Sequence, residues 1–216
     1  ENNGAADPSF TAADIATNVD AARSVFAADM DNDGDMDIVS GSDLGNPISW
    51  YENNGASDPS WAASEITSGG SGSSAKSVFV ADMDNDGDMD IISADSGVNT
   101  IAWYENTMEK GQISGWTAAD ITTSADGAQD VYTIDLDTDG DMDVLSASIV
   151  DGVVSWYEND GAGSFTSHTI YTHTDGAHSV YAVDIDDDGD MDVFSGSNKK
   201  LSMHINDGSE SFSTQN

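Results

Sequence analysis

The sequence predicts an all-β array of four repeated four-stranded sheets, on three observations. A motif recurs four times at near-constant spacing; short runs rich in Val, Ile and Phe lie between turn-forming residues; and no apolar period of 3.6 residues runs long enough for a helix. The first landmark of the repeat is residues 24–38, matched by 77–91, 130–144 and 179–193. The opening aspartates of its acidic loop, Asp29, Asp82, Asp135 and Asp184, are 53, 53 and 49 residues apart. A second landmark, Ile48-Ser-Trp-Tyr-Glu-Asn53, returns at 101–106 and 154–159 and, weakened, at 201–206. The third is an aromatic after a short turn: Phe10, Trp61, Trp116, Phe165 and Phe212.

Within a repeat, residues 24–28 and 38–41 are short runs bounded by Asp, Gly and Asn, as strands are. Residues 48–52 make a third strand, and 10–15 with its equivalents a fourth; 53–60 and 67–74 are Gly-, Ser- and Asn-rich loops. Four short strands per fifty-odd residues is the arithmetic of a β-propeller-type blade, which cannot bury both faces alone and must stack on its neighbours. The chain reads as a single repeat domain over 1–216, with units near 1–51, 52–104, 105–157 and 158–205 and a fifth begun at 206–216. Both ends carry the segment around the third landmark. That duplication predicts either an excerpt of a longer array or a homo-oligomer joined head to tail, up to a filament, because a spare strand seeks an edge.

Five Lys and Arg stand against 41 Asp and Glu, a formal charge of −36 in 216 residues. Self-repulsion on that scale opposes any compact state unless something neutralises the carboxylates. It makes nucleic acid and anionic membrane poor partners, so neither nucleic-acid binding nor membrane insertion is expected, and no apolar stretch is long enough for a membrane-spanning helix. With no Cys there is no disulfide to staple the fold and no thiol chemistry. Cations, and neutral or cationic ligands, are what the charge admits.

The acidic loop supplies a place for cations. In Asp29-Met-Asp-Asn-Asp-Gly-Asp-Met-Asp37, carboxylates fall at positions 1, 3, 5 and 9: Asp29, Asp31, Asp33 and Asp37. Alternate residues of a curled loop point inward, Gly34 permits the sharp turn, and Asp35 at position 7 offers its backbone carbonyl. The pattern returns as Asp82, Asp84, Asp86, Asp88 and Asp90, as Asp135, Asp137, Asp139, Asp141 and Asp143, and as Asp184, Asp186, Asp188, Asp190 and Asp192. Twenty-one of the 41 acids lie in these four loops. Hard oxygen donors in this number suit Ca²⁺, one ion per loop; Zn²⁺ and Cu²⁺ favour His and Cys, and Mg²⁺ a smaller, wetter shell. An EF-hand would need Glu at position 12, where this chain has Ser40, Ser93, Ser146 and Ser195.

This strand, Asp-x-Asp-x-Asp-Gly-x-x-Asp loop and strand resembles the FG-GAP/VCBS repeat family, to which the integrin α-subunit propeller belongs. The resemblance extends over nearly the whole chain. It implies blades around an axis, with Ca²⁺ in the turn between the first two strands of each. It also implies an extracellular or cell-surface setting and a role in adhesion or ligand binding. Such propellers usually have seven blades; here there are four. The Phe-Gly and Gly-Ala-Pro signatures are absent, which places the chain nearer the VCBS-like variant.

Two further sets recur once per repeat. Trp50, Trp103 and Trp156 fit either sugar-stacking platforms or packing between blades. Arg23, Lys76, Gln129 and His178 sit at the entrance to the innermost strand, where a ligand-contacting ring would form. The four His have no metal-ligand spacing, and neither a nucleophile elbow nor a distinct catalytic carboxylate pair is present. The expectation is a non-catalytic, calcium-stabilised structural or adhesive module with a glycan or protein ligand. The alternatives are a carbohydrate-binding propeller and, with no catalytic constellation behind it, part of a polysaccharide-acting enzyme.

Overall fold

Sixteen strands form four antiparallel four-stranded sheets in a computed structural model of the chain, which describes residues 12–45, 47–67, 73–107, 115–209 and 211–215. Sheet I holds β1 (Ala22–Ala28), β2 (Asp37–Ser42), β3 (Ile48–Asn53) and β4 (Trp61–Glu65). Sheet II holds β5 (Ala75–Ala81), β6 (Asp90–Asp95), β7 (Thr100–Asn106) and β8 (Trp116–Thr122). Sheet III holds β9 (Ala128–Ile134), β10 (Asp143–Ser148), β11 (Val153–Asn159) and β12 (Phe165–Thr172). Sheet IV holds β13 (Ala177–Val183), β14 (Asp192–Ser197), β15 (Leu201–Asn206) and β16 (Phe212–Gln215). Strands pair in sequence order within every sheet.

The fourth strand of each sheet therefore follows its third along the chain, and β16 completes sheet IV by pairing with β15. The strand expected over 10–15 has no such partner before it. Residues 12–16 are irregular and lie against sheet I, and Phe10 is outside the described residues.

Alternation along the strands gives each sheet two apolar faces. In sheet I, Phe26, Val39 and Trp50 are cross-strand partners on one face; Ala27, Ile38 and Tyr51 are partners on the other. The core consequently lies between sheets. Ala28, Met30, Val39, Ile48 and Trp50 of sheet I pack on Ala75, Val78, Val80 and Ile91 of sheet II. The same layer is rebuilt by Met83, Ile92, Ile101 and Trp103 against Ala128, Val131 and Val144, and by Leu136, Leu145, Val154 and Trp156 against Ala177, Val180 and Val193.

First strands face first strands, β1 to β5 to β9 to β13, and their rings form a column: Phe26–Phe79 at 4.7 Å, Phe79–Tyr132 at 5.1 Å and Tyr132–Tyr181 at 4.9 Å between centroids. Hydrogen bonds run beside the column. Val78 N–H donates to Ser24 Oγ (3.2 Å), Ser77 Oγ to Asp130 Oδ1 (2.9 Å) and Val180 N–H to Asp130 Oδ2 (3.1 Å). β13 does not pack back on β1, so among the described residues the four sheets form an open array and not a closed ring.

Candidate metal centres

Each acidic loop is the turn between the first two strands of its sheet, and its curl is set by two residues with positive φ. Position 4 is Asn32 (57°), Asn85 (60°), Thr138 (65°) or Asp187 (60°), and position 6 is Gly34, Gly87, Gly140 or Gly189 at 95–102°. The aspartates fold the loop on themselves. Asp29 Oδ2 accepts Gly34 N–H (2.9 Å) and Asp33 Oδ1 accepts Asp35 N–H (2.9 Å), with the same pair of bonds in the other three loops at 2.9–3.1 Å.

This curl brings carboxylate oxygens of Asp29, Asp31 and Asp33 within 4.8 Å of one another, and likewise Asp82, Asp84 and Asp86, and Asp135, Asp137 and Asp139. In the fourth loop the converging trio is Asp184, Asp186 and Asp192, so there position 9 joins in place of Asp188. Crowding leaves an electrostatic mark. Asp31, Asp84, Asp137 and Asp186 at position 3 all have raised pKa values, from burial first and then from the neighbouring carboxylates.

Positions 9 and 7 also do other work, Asp192 in addition to joining its trio. The position-9 carboxylates of Asp37, Asp90, Asp143 and Asp192 are wholly buried. One oxygen accepts the N–H of Met30, Met83, Leu136 or Ile185 at 3.1 Å, and the other accepts the N–H of Asn53, Asn106, Asn159 or Asn206 at 2.7–2.9 Å. Each thus staples loop to third strand beside the site. Burial pushes Asp90 and Asp143 up to about 7, against the lowering effect of those N–H donors. The Trp103 and Trp156 indoles lower them a little further without reaching hydrogen-bonding geometry.

Position 7 reaches outward. Asp88 Oδ1 accepts Asn32 Nδ2–H (2.6 Å) and Asp141 Oδ1 accepts Asn85 Nδ2–H (2.7 Å), joining each loop to that of the preceding sheet. Asp35, Asp141 and Asp190 lie against the Gly55, Gly161 and Gly208 turns of their own sheets.

The donor set is all oxygen, and two of its oxygens lack partners. Asp135 Oδ1 and Asp184 Oδ1 are buried without a hydrogen bond. A buried anionic oxygen with no donor is costly, and a cation among the trio removes that cost. The residues present fit a hard divalent ion.

The candidate ligand ring has a local cause. Arg23, Lys76, Gln129 and His178 are each the extra residue of a β-bulge at the head of the first strand, which re-aims the side chain. Arg23 and Lys76 both bind Asp43 of sheet I. Burial opposes ionisation of Asp43, but these cations and Ser74 outweigh it and hold its pKa well below the usual range. Gln129 donates to the carbonyls of Gly127 and Ala128 at 3.4 Å, and His178 meets Asn198 Oδ1 at 3.0 Å.

The recurrent asparagine closing the third strand was also decisive. Asn106 Nδ2 donates to Met30 O (2.9 Å) and Asn159 Nδ2 to Met83 O (2.8 Å), each 76 residues away in the preceding sheet. Its signal was in the sequence: in the weakened copy at 201–206, Asn206 is kept where both aromatics are lost.

Fold and site together define a tandem-repeat all-β protein with one acidic, oxygen-rich loop per sheet. The chain belongs to the FG-GAP-like repeat family, matching it over residues 29–93, 82–146 and 135–195. No curated protein gave a match. Among solved structures, the V. cholerae biofilm matrix protein Bap1 is similar at 20% identity and a TM-score of 0.50 over 89% of this chain. An Agrocybe aegerita lectin, solved for its specific recognition of non-reducing terminal N-acetylglucosamine, is similar at 16% identity and a TM-score of 0.43 over 88%. The chain spans 27% of Bap1 and 64% of the lectin.

Proposed function

We propose that this chain is a calcium-stabilised structural and adhesive repeat module of an extracellular or cell-surface assembly, each loop holding one Ca²⁺. The observation that carries it is the fourfold convergence of three carboxylates, with buried unpartnered oxygens at Asp135 and Asp184. Positions 1, 3 and 5 supply the carboxylates in three loops, and positions 1, 3 and 9 in the fourth. A cation there offsets both the burial and the carboxylate repulsion that raise the position-3 pKa values. The fold likeness to a protein described as a biofilm matrix component fits a matrix setting. A structural role fits the burial of Trp50, Trp103 and Trp156 between sheets, where they pack and offer no face for sugar stacking.

Extracellular calcium modules bind at about 10⁻⁴–10⁻³ M. At roughly 100 times the dissociation constant each site adds about 2.7 kcal/mol. Four sites then contribute on the order of 10 kcal/mol, as much as the net stability of a typical domain. Thermal melting with calcium, magnesium and a chelator tests this. A large rise in Tm with Ca²⁺, a smaller one with Mg²⁺ and loss on chelation are expected; a melt indifferent to the chelator overturns the reading.

A further inference from the structure

The acidic loops of sheets I, II and III, here loops I to III, are bonded in series, and loop IV stands apart from them. The first link starts at position 4, between the converging aspartates of positions 3 and 5. Asn32 Nδ2 donates to Asp88 Oδ1 (2.6 Å) and Asn85 Nδ2 to Asp141 Oδ1 (2.7 Å), each acceptor at position 7 of the following loop. The second link starts at position 9 of the following loop. Asp90 Oδ1 accepts the N–H of Asn106 (2.7 Å), whose side-chain amide donates to Met30 O at position 2 of loop I (2.9 Å). Asp143, Asn159 and Met83 O repeat it between loops II and III, with both bonds at 2.8 Å. Neither link joins loop III to loop IV among the described residues. Thr138 occupies position 4 without an amide, and Asn206 Nδ2 donates to Met191 O of its own loop (3.3 Å) and not to Leu136 O. A cleft of about 170 Å³ opens there, lined by Asp137, Thr138, Asp190 and Asn206 among others.

We infer that calcium binding is cooperative among loops I, II and III and independent in loop IV, with Asn32 and Asn85 coupling the sites. This rests on the calcium reading above. Asp88 offers its backbone carbonyl to the site in loop II and its carboxylate to Asn32, so fixing one end fixes the other. Asn32 in turn lies between Asp31 and Asp33, whose oxygens converge in loop I. Met30 O, held through Asn106 from position 9 of loop II, is a second point at which loop II steadies loop I. Filling loop II therefore removes freedom that loop I would otherwise lose on binding, and linkage makes the effect reciprocal. Charge acts in the opposite sense, since a filled loop presents a weaker negative potential to its neighbour. Salt screens that opposition and leaves the bonded links in place.

Calorimetric titration with calcium in about 0.15 M salt, with native mass spectrometry to count bound ions, tests the coupling. Asp82→Asn with Asp84→Asn disables loop II, and Asp184→Asn with Asp186→Asn disables loop IV. The unaltered chain is expected to bind four ions, three with a Hill coefficient above unity and one separately. Disabling loop II is expected to weaken loops I and III by about tenfold, whereas disabling loop IV leaves loops I to III unchanged. Asn32→Thr combined with Asn85→Thr, the residue already present at position 4 of loop III, should keep four ions and lose the cooperativity. Circular dichroism verifies each fold. Should the loop II variant not fold, Thr138→Asn decides the matter, because it supplies a donor for Asp190 and is expected to bring the fourth site into the cooperative set. Four ions bound independently, equal effects of the two disabled loops, or cooperativity that survives loss of both asparagines overturns the coupling and retains the calcium reading. No bound calcium overturns that reading and this inference with it.

Discussion

Thr138 stands where two other loops have Asn, at a φ of 65° that a β-branched residue adopts only with strain. It also lacks the amide with which Asn32 and Asn85 reach the next sheet. Thr138→Asn relieves the strain and supplies that donor beside Asp190, which lines the same cleft; a gain of about 1 kcal/mol is expected in urea unfolding. His204 is the second telling residue. It is buried between Ser195 Oγ (2.8 Å) and Thr214 Oγ1 (2.9 Å), with the rings of Tyr171 and His173 beside it. Burial, and then His173, lower its pKa to about 4. Above pH 6.5 both folded and unfolded forms are neutral. Between 6.5 and 4 the unfolded chain takes up a proton that the folded chain refuses, so stability falls with pH over that window. The loss is on the order of 1–3 kcal/mol. Comparing wild type with His204→Gln at pH 7 and pH 5 isolates it: equal losses in both proteins would contradict this assignment.

At the scale of elements, turns as well as strands join neighbouring sheets. Gly163, in the β11–β12 turn at φ 77°, lies over the indole of Trp103 in sheet II, and a Cβ there would stand 2.6 Å from the ring. Gly87, in an acidic loop at φ 95°, has open space where its Cβ would be. Gly87→Ala therefore costs only its backbone conformation, about 1–2 kcal/mol. Gly163→Ala adds displacement of a core indole and costs about 2–4 kcal/mol. Denaturant midpoints of the two variants decide the matter, and a cheaper substitution at 163 than at 87 would mean the turn does not clamp the neighbouring sheet.

For the whole molecule the governing quantity is the charge of −36, half of whose acidic residues sit in the four loops. With the loops filled, much of the repulsion is cancelled where it is densest. With a chelator present it is relieved only by screening, whose length falls from about 10 Å at 0.1 M salt to 3 Å at 1 M. Adding sodium chloride should therefore raise Tm strongly in chelator and weakly in saturating calcium. Equal salt effects in both conditions would show that the loops are not where the repulsion resides.

The repeat, the four strands per sheet and the converging aspartates were legible in the sequence, because strand alternation, turn residues and loop spacing are local properties. Asp29, Asp31 and Asp33 needed only a tight turn to meet. The sequence could not distinguish Asp37 from them: that its carboxylate is buried and staples Asn53 to Met30 depends on the third strand folding back over the loop. Nor could it decide whether Trp50, Trp103 and Trp156 face a ligand or a neighbour, or that Arg23 and Lys76 share Asp43 across a seam between sheets. Local pattern determined that each sheet has two apolar faces. Only the tertiary structure decided which of those faces are covered, because burial between sheets depends on how separate repeats stack in space.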